Sequence, residues 1–168
     1  GYTFGGWFTD SSYSDGSKVS EITATDIGDK IFYAKWTANT YTVTFDPNGG
    51  MMPEGEETNR SVTYDQSYGT LPTPTLTGHT FEGWYTDVDG GEQITESTSV
   101  RITANQTLYA RWTANVYQIT YVCNLSGVSN SNPRSYTYGN AVTLNDLAKT
   151  GYTFGGWFTD SSYSDGSK

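Results

Sequence analysis

Residues 33–45 read YAKWTANTYTVTF, and residues 109–121 read YARWTANVYQITY. In the first of these, Tyr41, Val43 and Phe45 alternate with Thr42 and Thr44, the period of two that marks a half-buried strand. Tyr117, Ile119 and Tyr121 repeat it. Just upstream, LYARWT at 108–113 puts Leu108, Ala110 and Trp112 on one face, with FYAKWT at 32–37 as its counterpart. Only Thr113, Ala114, Asn115 and Val116 separate Trp112 from Tyr117. A strand that closes beside a strand that opens, met twice, is a unit boundary.

The correspondence extends to either side. GYTFGGWFTD at Gly1 returns as GHTFEGWYTD at Gly78, and SVTY at Ser61 returns as SYTY at Ser135. The offsets are 77, 76 and 74 residues, so each unit is about 75 residues long. A longer period lies over this one. Residues 1–18, GYTFGGWFTDSSYSDGSK, are identical to residues 151–168, an offset of 150. Residues 1–40 are therefore expected to be the C-terminal part of a repeat unit, 41–115 a complete unit, and 116–168 the N-terminal part of the next. The segment that would close this last unit has its counterpart in residues 19–39.

Within a unit, FDPNGG supplies Pro47 and an Asn48-Gly49-Gly50 turn. SVTY and SYTY read as second strands. TFEGWYTD and TFGGWFTD read as third strands, each followed by a polar turn, DVDGG or DSSYSDGS. One helix is predicted, in TLNDLAKTG at 143–151. Thr143 or Asn145 would cap it, Leu144, Leu147 and Ala148 would form its apolar stripe, and Gly151 would stop it. The matching LPTPTLTG at 71–78 carries Pro72 and Pro74, which oppose a helix. The expected class is mainly β, or α+β with at most one short helix per unit.

Composition sets outer bounds. Aromatics reach 15% with 14 Tyr, charged residues only 16%, and there are 19 Gly, which favours turn-rich β-structure over a disordered polyampholyte. The net charge of −9 opposes nucleic acid as a partner, because phosphate binding needs clustered Lys and Arg. No apolar run approaches the roughly 20 residues that cross a bilayer, so no membrane insertion is expected. No signal peptide opens the sequence, and any secretion signal or anchor is expected outside it. Cys123 is the only cysteine and His79 the only histidine, which removes intrachain disulfides and Cys-based zinc sites.

The run YTVTFDPNGG … VTY … LPTP … GHTFEGWYTD … TLYARWTAN resembles the Listeria–Bacteroides repeat, also called the internalin B-repeat. The resemblance covers both units, and its GYTF-x-GW-[YF]-TD and LYA-[KR]-WT signatures are long. It implies small β-grasp-like (ubiquitin- or SUMO-like) domains strung in tandem on bacterial surface proteins and adhesins, used as spacers or weak interaction modules. It carries over no catalytic residues. The second unit departs from the pattern at YVCNLSGVSN, where a longer and differently shaped first turn is expected.

Candidate sites divide between structural and functional readings. Trp7, Trp36, Trp84, Trp112 and Trp157 recur at fixed places, as do Phe4, Phe81 and Phe154. They could stack on sugar rings, but a 75-residue sheet (taking about 75 from the repeat length) needs them as core. Tyr33 and Tyr109, on the opposite strand faces, are better candidates for exposure. Asp87, Asp89 and Glu92 in DVDGGE resemble a calcium loop without its twelve-residue signature, and Asp10 and Asp15 are a looser match. Ordinary turn chemistry is expected at both. LPTPT from Leu71 has Pro74 where a sortase signal needs Thr. Triplets at Asn59, Asn105 and Asn124 fit N-glycosylation only formally. Glu56-Glu57 lies in a polar loop, and Cys123 reads as an idle or buried thiol.

The sequence therefore points to no catalytic, cofactor-binding or metal-binding residues and to a protein that is not an enzyme. The expected role is a stalk or spacer of an extracellular bacterial surface adhesin or fibre, whose partners are neighbouring repeat units of the same protein. One alternative is a module that binds a host protein or glycan. Another is a subunit that polymerises head to tail, with residues 19–40 of one chain completing the unit at 117–168 of the next.

Overall fold

The computed structural model describes residues 1–168, with all side chains except that of Asp165. The strands are β1 (Tyr2–Phe8), β2 (Lys18–Val19), β3 (Tyr33–Ala38), β4 (Thr40–Asp46) and β5 (Asn59–Thr63). They continue with β6 (His79–Tyr85), β7 (Gln93–Ile94), β8 (Gln106–Ala114), β9 (Val116–Gln118) and β10 (Ser135–Thr137), before a 3-10 turn at Asp165–Ser167. Among the described residues there is no α-helix. The chain divides into two compact units: Gly1–Leu76 with Phe81–Trp112, and Thr77–Thr80 with Thr113–Lys168.

The first unit is built on a five-stranded sheet in the order β5-β4-β8-β6-β7. β4 runs antiparallel to β5, with Tyr41 opposite Val62, and parallel to β8, with Phe45 opposite Leu108. β6 and β7 form a second antiparallel pair, with Trp84 opposite Ile94. The alternation in YTVTFD is realised: Val43 and Phe45 are buried while Thr42 and Thr44 are exposed. Leu108 and Ala110 are fully buried, and Trp112 packs half-buried against them. With Val62, Tyr68, Trp84, Ile94 and Val100 they form one core, in which each large apolar side chain contributes about 1.5–3 kcal/mol relative to exposure.

Local chemistry places the connections. Asn48 takes positive φ (47°) between an Asp46 carboxylate that accepts its N–H at 2.8 Å and the Ala110 carbonyl that accepts its side-chain amide at 3.1 Å. The predicted Asn-Gly turn is thus tied to β8. The crossover from β5 to β6 is irregular, as Pro72 and Pro74 require, and it lies over the core. Tyr68 is buried in it and donates its hydroxyl to Gln106 Oε1 at 2.7 Å. Met51 and Thr75 form an isolated bridge that pins its far end.

The same unit holds a three-stranded sheet, β2-β1-β3, in which β1 lies antiparallel to β3 with a bulge between Phe4 and Gly6. Here the expectation that the recurring aromatics build cores needs correction. Trp84 is 1% exposed, whereas its counterpart Trp7 is 48% exposed, and Phe4 and Trp36 are exposed too. The rings keep their mutual packing, Phe4 to Trp36 at 5.1 Å against Phe81 to Trp112 at 5.4 Å. What differs is the surroundings. In the complete repeat β4 pairs beside β8, and Tyr68 and Leu71 of the crossover join the same core, whereas Phe4, Trp7 and Trp36 are in no such core among the described residues.

In the second unit β9 pairs antiparallel with β10, Tyr117 opposite Tyr136. The helix predicted at 143–151 is absent. Asn132, buried at 6% exposure, donates its side-chain amide to the Asn145 carbonyl at 2.9 Å and accepts the Asn145 N–H at 2.6 Å. The Asn145 carbonyl, which such a helix would use as an acceptor, is thus occupied by Asn132 and also by the Trp157 indole. The expected apolar stripe still faces inward, for Leu144, Leu147 and Ala148 line a cavity of about 780 Å³ with Phe154 and Trp157. In the complete repeat β7 and β8 fill the corresponding space. The third strand expected at 153–160 is also unpaired, because the neighbour that β8 supplies to β6 has no counterpart in this unit. The first connection lies outside the strands from Ile119 to Arg134, against 47–58 in the first repeat, although the Ile119 N–H still donates to the Arg134 carbonyl at 2.8 Å. No insertion causes this. Tyr117 lies 18 residues before Ser135, and Tyr41 lies 20 before Ser61, so the longer connection comes from a ladder that stops early.

Candidate interaction surfaces

The polar turns behave as turns. Asp10 accepts the Ser12 N–H at 2.8 Å and the hydroxyls of Ser12 and Ser14. These bonds hold its carboxyl well below the usual carboxylate range. Asp160 makes the same bonds to Ser162 and Ser164, with the same effect. The carboxylates are therefore occupied by their own loops. Asp26, capped by Thr23 and paired with Lys30 at 2.9 Å, is lowered to about 2, chiefly by the Lys30 hydrogen bond.

In DVDGGE, Gly90 and Gly91 take φ of 81° and 69° and bring Glu92 back to bond with Thr86. Arg111 lies 3.9 Å from the Tyr85 ring centre and donates to the carbonyls of Asp87 and Val88. The turn is gripped through its backbone, so Asp87, Asp89 and Glu92 do not converge. Among the described residues no three His, Cys, Asp or Glu side chains gather as a metal site would need. Beside the turn, Asn48, Val88, Asp89, Arg111 and Trp112 line a shallow cleft of about 320 Å³. The polar groups of Asn48, Arg111 and Trp112 are already bonded to backbone carbonyls.

The remaining candidates are placed as follows. His79 lies edge-on to Tyr138, 5.4 Å between ring centres, with Nδ1 3.0 Å from the Thr77 carbonyl. Cys123 is a half-buried free thiol. Tyr33 is exposed, whereas Tyr109 is half-buried. Leu71 of LPTPT packs against the core. Asn105 accepts the Thr42 N–H, and Asn124 donates to the Tyr163 hydroxyl.

Residue-by-residue reading passed over Asn39 and Asn115, the last letters of the two TAN tripeptides. Each sits half-buried where a closing strand meets an opening one, bonded on several sides at once. The recurrence of TAN at the unit boundary was the available signal.

These features define an all-β protein of tandem repeats, each repeat beginning where the last ends. The chain belongs to the Listeria–Bacteroides repeat domain family, whose model matches residues 1–35, 41–111 and 117–167. It is 35% identical over 165 residues, 95% of its length, to a protein of Evansella cellulosilytica named "Putative membrane protein". It is 36% identical over 119 residues, 68% of its length, to internalin H of Listeria monocytogenes. The chain spans 24% of the first relative and 20% of the second. Among the described residues no helix is long and apolar enough to cross a membrane.

Proposed function

We propose that this chain is a non-catalytic spacer, a stretch of tandem repeats in the stalk of an extracellular bacterial surface adhesin or fibre. The observation that carries the reading is the lack of any linker. β3 ends at Ala38 and β4 begins at Thr40, and residues 1–40 fold into one compact unit with the repeat that follows them. A domain of this size is marginal alone, so contact with a neighbour adds stability that a flexible string would forgo. Family membership and the internalin relative support placement at a cell surface. The repeat boundaries are 1–40, 41–115 and 116–168. The repeat is β-grasp-like in that its first and last strands, β4 and β8, lie parallel and adjacent, with β5 on one side and the β6–β7 hairpin on the other. The partners are neighbouring repeats of the same protein.

A second reading rests on the identity of residues 1–18 and 151–168. Residues 117–150 precede the second copy, so that segment of one chain has the sequence to pack on residues 1–40 of another, giving head-to-tail self-assembly. Binding of a host protein or glycan is the remaining alternative. One set of measurements separates the three. The full chain applied to glycan arrays and host-cell surfaces is expected to show no saturable binding, and saturable binding would overturn the spacer reading. Sedimentation across a wide concentration range is expected to show monomer, and concentration-dependent growth would favour self-assembly.

A further inference from the structure

Asn39 bonds in four directions. Its N–H donates to the Gly1 carbonyl at 2.8 Å, and its carbonyl accepts the Tyr64 N–H at 2.9 Å. Its side-chain oxygen accepts the Thr3 hydroxyl at 2.5 Å, and its side-chain amide donates to the Tyr41 hydroxyl at 3.4 Å. Gly1 and Thr3 open a third strand of one repeat, whereas Tyr41 and Tyr64 belong to the first hairpin of the next. The Gly1 position is tight, since a Cβ there would come 2.4 Å from the Tyr64 ring.

The same set recurs inside the second unit. The Asn115 N–H donates to the Gly78 carbonyl at 2.8 Å, and its carbonyl accepts the Tyr138 N–H at 2.8 Å. Its side chain accepts from Thr80 at 2.7 Å and donates to Tyr117 at 3.4 Å. A Cβ on Gly78, which takes φ of 72°, would come 2.2 Å from the Tyr138 ring. Eight bonds thus agree in pairs, although the two units differ in completeness and in burial.

We propose that Asn39 and Asn115 are interlock residues. Each ties the start of a third strand to the hairpin that follows it in the chain, and at Asn39, inside the first compact unit, this keeps the one-residue connection from acting as a hinge. The partner of this surface is the adjacent repeat of the same chain. Each residue offers only two soft backbone dihedrals, and bending at Asn39 would break its bonds to Gly1 and Tyr64 together. Glycine is required at the seat because only it admits the Tyr ring so closely. The two interlocks are not equal. Around Asn39 the Tyr2 hydroxyl donates to Asp65, Asp65 pairs with Arg101, and Arg101 lies over the Tyr64 ring. Around Asn115 the equivalents of Tyr2 and Asp65 are His79 and Gly139, so that reinforcement is missing.

The inference deepens the spacer reading and rests on it for its purpose, but its test does not. Amide hydrogen exchange of the full chain reads the interlock directly. Asn39→Ala is expected to speed exchange at Tyr64 by about tenfold or more while the amides of Val43, Phe45 and Leu108 stay protected. Asn115→Ala is expected to do the same at Tyr138 and leave Tyr64 unchanged. Should Asn39→Ala unfold the chain outright, Thr3→Val and Tyr41→Phe each remove one side-chain bond without a large change of shape. These are expected to raise Tyr64 exchange severalfold. Unprotected Tyr64 and Tyr138 amides in the unaltered chain, or exchange indifferent to all these variants, would overturn the proposal. Discovery of a saturable ligand would overturn the spacer reading while leaving the exchange pattern intact.

Discussion

The Trp84 indole N–H donates to the Pro72 carbonyl at 2.8 Å. Trp157 makes the equivalent bond, to the Asn145 carbonyl at 3.1 Å. Crossovers of different sequence are therefore held by the same tryptophan contact. Trp84 is also the largest fully buried side chain, 5.0 Å from the Phe45 ring centre.

Trp84→Ala is expected to destabilise the first unit by about 3–5 kcal/mol through the cavity it leaves. Trp84→Phe should cost less, roughly 1–3 kcal/mol, chiefly from the unpaired Pro72 carbonyl. Chemical denaturation followed by circular dichroism measures both. A Trp84→Phe variant as stable as the unaltered chain would mean that packing alone matters and the indole bond contributes nothing.

Arg60 donates to the carbonyls of Tyr68 and Thr70 and lies 5.3 Å from the Phe45 ring centre. It ties the edge strand β5 to the crossover through a planar fork that Lys cannot reproduce. Arg60→Lys is expected to cost about 1–2 kcal/mol in the same denaturation measurement. A neutral result would show that the fork is dispensable.

Asn132 should govern the crossover of the second unit. Asn132→Ala leaves the Asn145 N–H without its partner, at an expected cost of about 1–3 kcal/mol. The nearby LNDLAK segment then becomes free to turn helical. Nuclear magnetic resonance secondary shifts over residues 143–149 report this directly, and unaltered shifts would show that Asn132 is not what suppresses the helix.

Acid should release the Asp10 and Asp160 turns late. Their folded pKa values lie below the unfolded value, so the stabilisation is complete above the ordinary midpoint of about 3.9 and is lost as pH falls through the lower, folded value. The amide shifts of Ser12 and Ser162 are expected to change below the ordinary Asp range. A midpoint near 3.9 for either residue would contradict the hydrogen-bonded turn (about 3.9 being the model-peptide value).

Much of the repeat was legible because its signals are local or periodic. Burial at Val43, Phe45, Leu108 and Ala110 followed directly from alternation, and the Asn48 turn from its residue types. The Asn132 contact was not legible, because it joins residues thirteen apart through a side chain with no pattern of its own. The interlocks at Asn39 and Asn115 were visible only as the recurrence of TAN. The bonds that give the tripeptide meaning run to Gly1, Tyr64 and their counterparts, far away along the chain.

The eighteen residues present twice separate local from tertiary control without a mutation. Tyr13 and Tyr163 both take φ of 54°, Gly6 and Gly156 take 121° and 119°, and the two aspartates accept the same serine bonds. The eighteen letters determined this turn wherever they stand, since its bonds close within a few residues. Tertiary structure decided the rest. Tyr2–Phe8 is a strand and Phe8 is buried, because β3 lies alongside it. Residues 152–158 have no neighbouring strand and remain unpaired. A turn completes its hydrogen bonds with its own sequence, whereas a strand can complete them only with another segment.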